Sequence, residues 1–185
     1  MEPVSDSLVY IVDDDAGVRE ALAWLLRSRR LLSESFDSAE VFDAMLKAQA
    51  APCRPCCLLL DVRMPGLSGV GLQERLGKLG RVVPIIFVSA HGDVPMVARA
   101  MRDGAFDFLQ KPFNEQVLLD RVHDAVLLAA RRREEAERLT EIQRRLDGLT
   151  AREREVMEGM VAGRLNKQIA DGLGISMKTV EQHRA

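Results

Sequence analysis

The sequence has no apolar stretch approaching the roughly 20 residues that a membrane span requires; runs such as LVYIV and CCLLL are far shorter. Its N-terminus, MEPVSDS, carries neither the basic nor the apolar segment of a secretory signal. Both absences predict a cytoplasmic protein without a membrane partner. Cysteine is scarce and confined: Cys53, Cys56 and Cys57 all lie in CRPCC. An odd count with no second cluster fits neither a disulfide framework nor a zinc site. Cys56 and Cys57 lead straight into LLLD and are expected in the core of a strand. His91, His123 and His183 are widely separated and imply no shared metal site. Neither sign of charge is in large excess. Residues 1–125 hold 14 Lys and Arg against 18 Asp and Glu, net −4, and residues 126–185 hold 12 against 10, net +2. So small a basic excess gives no electrostatic argument for nucleic-acid binding.

With 47% apolar and 29% charged residues, the 185-residue chain has an ordinary soluble balance and room for one large domain or two smaller ones. Short apolar runs bounded by polar turns recur in its first part: LVYIV (8–12), LSESF (32–36), CCLLLD (56–61), PIIFVS (84–89) and FDFLQ (106–110). Between them apolar residues fall at helical spacing, as in Val18, Leu22, Leu25 and Leu26, or Val41, Phe42, Met45 and Leu46. Strands this apolar, alternating with helices, predict an α/β fold with a doubly wound, five-stranded parallel sheet covered on both faces. In such folds ligands collect at the carboxyl ends of the strands.

The run DDD at residues 13–15 follows the first of these strands. Two unit charges about 4 Å apart repel by roughly 4 kcal/mol at an effective dielectric near 20. The cluster therefore implies either a nearby cation or dispersal into solvent, as at a helix start, where Asp is a good N-cap. The sheet adds to it. Asp13 and Asp14 end strand one, Asp61 ends strand three, Ser89 ends strand four and Lys111 follows strand five. All of them are expected at one edge.

VDDDAGVR, LLLDVRMPGLSG and SAHGDVPMVARAMRDGAFDFLQKPF stand in this order across residues 8 to about 125. That region resembles the receiver domain of bacterial two-component response regulators, a flavodoxin-like fold, and the longest motif resembles the NarL/FixJ class in particular. The resemblance implies that Asp61 accepts a phosphoryl group from a partner histidine kinase. It implies that Asp13, Asp14 and Asp61, with the backbone carbonyl of Arg63, hold Mg²⁺, an ion that takes a few hard oxygen ligands and keeps several waters. Ser89 would hydrogen-bond the phosphoryl oxygen, Lys111 would neutralise its charge, and Phe108 would be the aromatic switch. The family places a cis peptide before Pro112. Gly66 and Gly69 are expected to shape the loop after Asp61.

From Asn114 apolar positions continue a helix through RRREEAERLTEIQRRLDGL, with no breaker before Gly148. Leu139, Ile142, Leu146 and Leu149 have the spacing of a coiled-coil seam over barely two turns of pattern, and a solvated linker helix fits them equally. Thr150 is expected to cap the next helix, NKQIADGL to form a second, and the turn at 174–176 to lead into a third. TAREREVMEGMVAGRLNKQIADGLGISMKTVEQHRA resembles the LuxR-type helix-turn-helix of the same class. The resemblance implies that the last helix enters the major groove of double-stranded promoter DNA, with Gln182 and Glu181 facing base edges. Asn166, Lys167, Lys178, Thr179, His183 and Arg184 are the expected phosphate contacts. Ile169, Leu173, Ile175 and Val180 are expected in the core. The family extends this helix beyond the equivalent of Ala185 and adds another, so the domain as given reads as incomplete at its C-terminus.

The domains expected are thus a receiver at 1–125, a helical linker at 126–148 and a helix-turn-helix at 149–185. The function implied is transcription control: phosphorylation of Asp61, dimerisation, then DNA binding, with no enzyme activity beyond self-phosphorylation and autodephosphorylation. Two other functions fit the sequence less well. A haloacid-dehalogenase-type phosphatase needs a second Asp two residues after the nucleophile, where this chain has Arg63. A DNA-binding protein whose receiver no longer takes phosphate is opposed by the intact set Asp13, Asp14, Asp61, Ser89 and Lys111.

Overall fold

A computed structural model of the chain describes residues 7–48, 54–80, 83–90 and 92–183, so Cys53, His91 and Arg184 lie outside the described residues. By internal contact the chain divides into two compact units, Met1–Glu134 and Glu135–Ala185. In the first, five strands alternate with helices: β1 Leu8–Val12, α1 Ala16–Ser28, β2 Leu32–Phe36, α2 Ala39–Ala48, β3 Cys56–Leu60, α3 Gly69–Lys78, β4 Ile85–Ser89, α4 Val94–Arg102 and β5 Asp107–Gln110. A helix of 33 residues, α5 Glu115–Asp147, follows β5. The strands form one parallel sheet in the order β2-β1-β3-β4-β5.

Alternation along the central strands sorts the core into two layers, because successive side chains leave opposite faces of a strand. Tyr10, Val12, Leu58, Leu60 and Phe87 pack with Phe42 and Leu46 of α2, Leu72 and Leu76 of α3 and Ala100 of α4. Val9, Ile11, Leu59, Ile86 and Val88 pack with Leu22 and Leu26 of α1 and with Leu118, Val122 and Val126 of α5. Phe42 is fully buried and meets Tyr10 and Phe36 edge-on, each at a ring-centroid distance of 5.2 Å. Truncating such a residue to Ala costs about 3–5 kcal/mol. Cys56 and Cys57 are buried strand residues, as expected, and burial pushes the Cys56 thiol up to about 11. β2 is an edge strand with Leu32 about half exposed, and polar Ser33, Glu34 and Ser35 keep it from offering an apolar edge.

The second unit carries α6 Ala151–Val161, α7 Asn166–Leu173 and α8 Met177–His183. Thr150 caps α6 in a reciprocal capping box with Glu153. Gly174, at φ 64°, closes α7 in the left-handed conformation that glycine adopts without strain. Val156, Ile169, Ala170 and Val180 form the core, with Leu173 and Ile175 packed against it. Gly159 lets the helices approach closely, since a Cβ there would stand 2.9 Å from Ile169 Cγ1. Leu139 and Ile142 are 57% and 45% exposed on α5, as both readings of that segment require of a single chain. Among the described residues no helix is long and apolar enough to cross a membrane.

Candidate functional site at the sheet edge

Register fixes the site. Val12 pairs with Leu60, so the next residue of each strand, Asp13 and Asp61, emerges side by side at the carboxyl edge. The Asp61 N–H donates to Val12 O at 2.9 Å and the Asp13 N–H to Phe36 O at 3.2 Å, which holds both Cα atoms as continuations of the sheet. β5 lies one strand beyond β4, and the Lys111 N–H donates to Ser89 O at 2.9 Å. The Lys111 side chain then reaches back over β4. Its Nζ stands 2.7 Å from Asp13 Oδ2 and 3.5 Å from Asp61 Oδ1. The Lys111–Pro112 bond is cis.

Both carboxylates are nearly out of water, Asp13 at 3% and Asp61 at 7% exposure. Burial raises the Asp61 carboxyl above its ordinary value, and the neighbouring Asp13 charge adds to the rise. The Arg63 N–H, the Lys111 ammonium and the Ser89 hydroxyl oppose it. The Arg63 N–H donates to Asp61 Oδ2 at 2.7 Å. Ser89 is buried at the end of β4. Asp13 Oδ1 accepts the Asp15 N–H at 2.9 Å, and the Asp15 side chain caps α1 by accepting from the N–H groups of Gly17 and Val18. Asp14, between them, is exposed.

The structure therefore brings Asp13, Asp61, Ser89, Lys111 and the Arg63 backbone together. The expected carboxylate trio is not assembled as a ready cage: among the described residues no three His, Cys, Asp or Glu side chains stand as a metal-binding group. Instead Lys111 provides the positive charge between Asp13 and Asp61. The donor chemistry nonetheless suits Mg²⁺. Two buried carboxylates facing one cation, with exposed Asp14 beside them, supply only hard oxygens, and Mg²⁺ is commonly held by one or two carboxylates plus waters. Phe108 is half-buried, 6.3 Å from Phe87 by ring centroids, and its ring lies where a side chain on Gly92 would have to go.

The loop from Asp61 to α3 is shaped by its glycines, as expected. Gly66 has φ +76°, and a Cβ on Gly69 would stand 2.1 Å from Asp61 O. Three supporting residues were not legible in the sequence. Arg19 Nη1 donates to Asp13 O at 2.7 Å, which braces the turn behind the carboxylates. Glu40 of α2 accepts the Leu67 N–H at 2.6 Å and pins the loop after Asp61. Gln73 of α3 donates through Nε2 to Ala100 O of α4 at 3.0 Å. Arg19 stood in the motif VDDDAGVR without an evident task; the other two carry no local signal.

In the second unit, Lys167 of α7 and Lys178, Glu181 and Gln182 of α8 are exposed, while Asn166, Thr179 and His183 are half-buried. Ser176 caps α8 by accepting the Thr179 N–H at 3.1 Å, and its hydroxyl also pairs with the Thr179 hydroxyl at 2.8 Å. Thr179 thus has a local structural partner.

Residues 9–123 match the family model of the response regulator receiver domain, and residues 147–185 match that of the bacterial regulatory proteins of the luxR family. The chain is 45% identical over 178 residues to the response regulator protein TodT of Pseudomonas putida, covering 96% of this chain and 77% of that protein. It is 40% identical over 182 residues to the transcriptional regulatory protein FixJ of Rhizobium meliloti, covering 98% and 87%. Among solved structures, the response regulator StyR superposes with a TM-score of 0.86 at 44% identity, over 97% of this chain and 89% of that one. A receiver in the first unit, a DNA-binding module later in sequence, and relatives alike along nearly the whole chain: this protein is a transcription regulator belonging to the NarL/FixJ class of two-component response regulators.

Proposed function

We propose that Asp61 is the phosphoacceptor of this regulator and that its phosphorylation by a histidine kinase in the cytoplasm drives dimerisation and binding to promoter DNA. The observation that carries the reading is the Lys111 ammonium, held 2.7 Å from Asp13 and 3.5 Å from Asp61 at the level of buried Ser89. In the transfer, an Asp61 carboxylate oxygen forms the new bond to phosphorus. The bond from phosphorus to the kinase imidazole nitrogen breaks, and the electron pair stays on that nitrogen. Asp13, Asp14, Asp61 and the Arg63 carbonyl are the residues that would hold Mg²⁺, which when bound neutralises charge on the phosphoryl oxygens. Lys111 exchanges its Asp13 contact for a phosphoryl oxygen. Ser89 turns its hydroxyl from Asp61 to another, and Phe108 follows into the space this opens.

In the second unit, exposed Glu181 and Gln182 on α8 are the base-reading candidates. Lys167 and Lys178, with Asn166, Thr179, His183 and Arg184, serve the phosphate backbone. The chain is phosphorylated rather than turning substrate over, apart from self-phosphorylation and autodephosphorylation. Incubation with acetyl phosphate and Mg²⁺ should add one phosphoryl group by intact mass, and Asp61→Asn should take up none. Uptake equal in the two proteins refutes the assignment. Sedimentation with beryllofluoride and Mg²⁺ should show a dimer.

A further inference from the structure

Helix α4 buries a narrow face, with Met96 partly buried against the same layer as Ala100. Ala100 is its one fully buried residue, while Val94 is 83% and Met101 40% exposed. Its tie from Arg99 to Glu74 of α3 joins two well-exposed side chains, and such pairs contribute little. A second polar tie comes from Gln73, which is 4% exposed beside Leu72 and Leu76. Its Nε2 donates to Ala100 O, a carbonyl already satisfied by the Ala105 N–H at 3.0 Å in the turn that closes α4. The other end of the same carboxamide, Oε1, is buried and has no hydrogen-bond partner among the described residues.

The two halves of this side chain act in opposite senses. A net hydrogen bond stabilises modestly, whereas a buried acceptor left without a donor costs as much or more. Because Ala100 O keeps its Ala105 partner, the Gln73 contact is not required to satisfy α4. Movement of α4 away from α3 would open Gln73 to water and satisfy both ends. We infer that Gln73 is a positioning residue that keeps the docking of α4 marginal, so that events at Asp61 can displace the helix. This rests on the phosphoacceptor reading for its trigger, though not for the docking itself. An unbranched apolar residue of similar size would fill the same space, bury more apolar surface and leave no orphan.

The test is Gln73→Met in the full chain, with Gln73→Leu as a second variant of the same expected sign. In the resting protein, amide hydrogen exchange across residues 94–105 should slow by roughly three- to tenfold, with exchange in α1 and β1 unchanged. The beryllofluoride concentration that half-converts the chain, at fixed Mg²⁺, should rise by a similar factor. Exchange across α4 that is unchanged or faster in both variants overturns the inference. Slowing spread evenly over the whole first unit also overturns it, since that marks a general stability effect. If the wild type ignores beryllofluoride, the Asp61 reading fails, and exchange in the resting chain still decides the role of Gln73.

Discussion

Replacing Lys111 with Met removes the ammonium that stands between two nearly buried carboxylates while keeping an unbranched side chain in place. The ammonium stands 2.7 Å from Asp13 Oδ2 and 3.5 Å from Asp61 Oδ1, so those oxygens are at most about 6 Å apart. At an effective dielectric near 20, like charges at that separation repel by roughly 3 kcal/mol. The Lys111 side chain is 20% exposed, so water entering its place recovers part of this. The expected loss of stability at pH 7 without Mg²⁺ is about 2–3 kcal/mol, a large share of the ~5–15 kcal/mol that holds a domain folded.

Urea denaturation followed by far-ultraviolet circular dichroism, in EDTA and in Mg²⁺, reads the effect. Mg²⁺ should stabilise the variant more than the wild type, because the ion no longer competes with an ammonium; saturation at 100 times Kd is worth about 2.7 kcal/mol. The deficit should also shrink on acidification, since a proton on Asp61, whose carboxyl burial raises, ends the repulsion. A variant as stable as the wild type in EDTA at pH 7, or a deficit of equal size with and without Mg²⁺, refutes the electrostatic account.

Asp61→Asn should be more stable than the wild type near neutral pH. Burial raises the Asp61 carboxyl above its ordinary 3.8, so the folded state binds that proton more tightly and loses stability as pH climbs from 3.8 through the raised value. The gap between the two proteins should close below that window, and a constant gap across pH would contradict it. Gly69→Ala places a Cβ 2.1 Å from Asp61 O, a backbone atom that must shift. A cost of about 1–3 kcal/mol is expected, together with slower phosphoryl uptake from acetyl phosphate; normal uptake would show that the loop tolerates the side chain. Thr150→Ala removes the hydroxyl half of the α6 capping box and should lower the stability of the second unit by about 1 kcal/mol in thermal unfolding, with no effect on uptake at Asp61.

Much of the first unit was legible because its signals are local and periodic. LVYIV and CCLLL are apolar on both faces, and so read as central parallel strands, which β1 and β3 are. The site was legible because its members end strands: a parallel sheet converts residues far apart in sequence into neighbours. The helix-start reading of DDD fits Asp15, whose side chain caps α1 just before Ala16. What stayed hidden depends on tertiary approach. Glu40 and Gln73 look like ordinary helix-surface residues, and only the packing of α2 against the Asp61 loop, and of α3 against α4, gives them partners. Likewise, no spacing rule tells that Lys111 would occupy the carboxylates itself.

The path of that lysine has a mechanical side. From beyond β5 it passes the end of β4 and touches the residues that follow β3 and β1, lacing four strand ends with one flexible side chain. It is a tie-rod across the rim of the sheet, fastened by charge-assisted hydrogen bonds. Whatever drew the ammonium off Asp13 would free the rim at Lys111, four residues ahead of the first residue of α5. A purely chemical event at one carboxylate, if it drew the ammonium away, would thereby be felt at the root of the longest helix in the described chain.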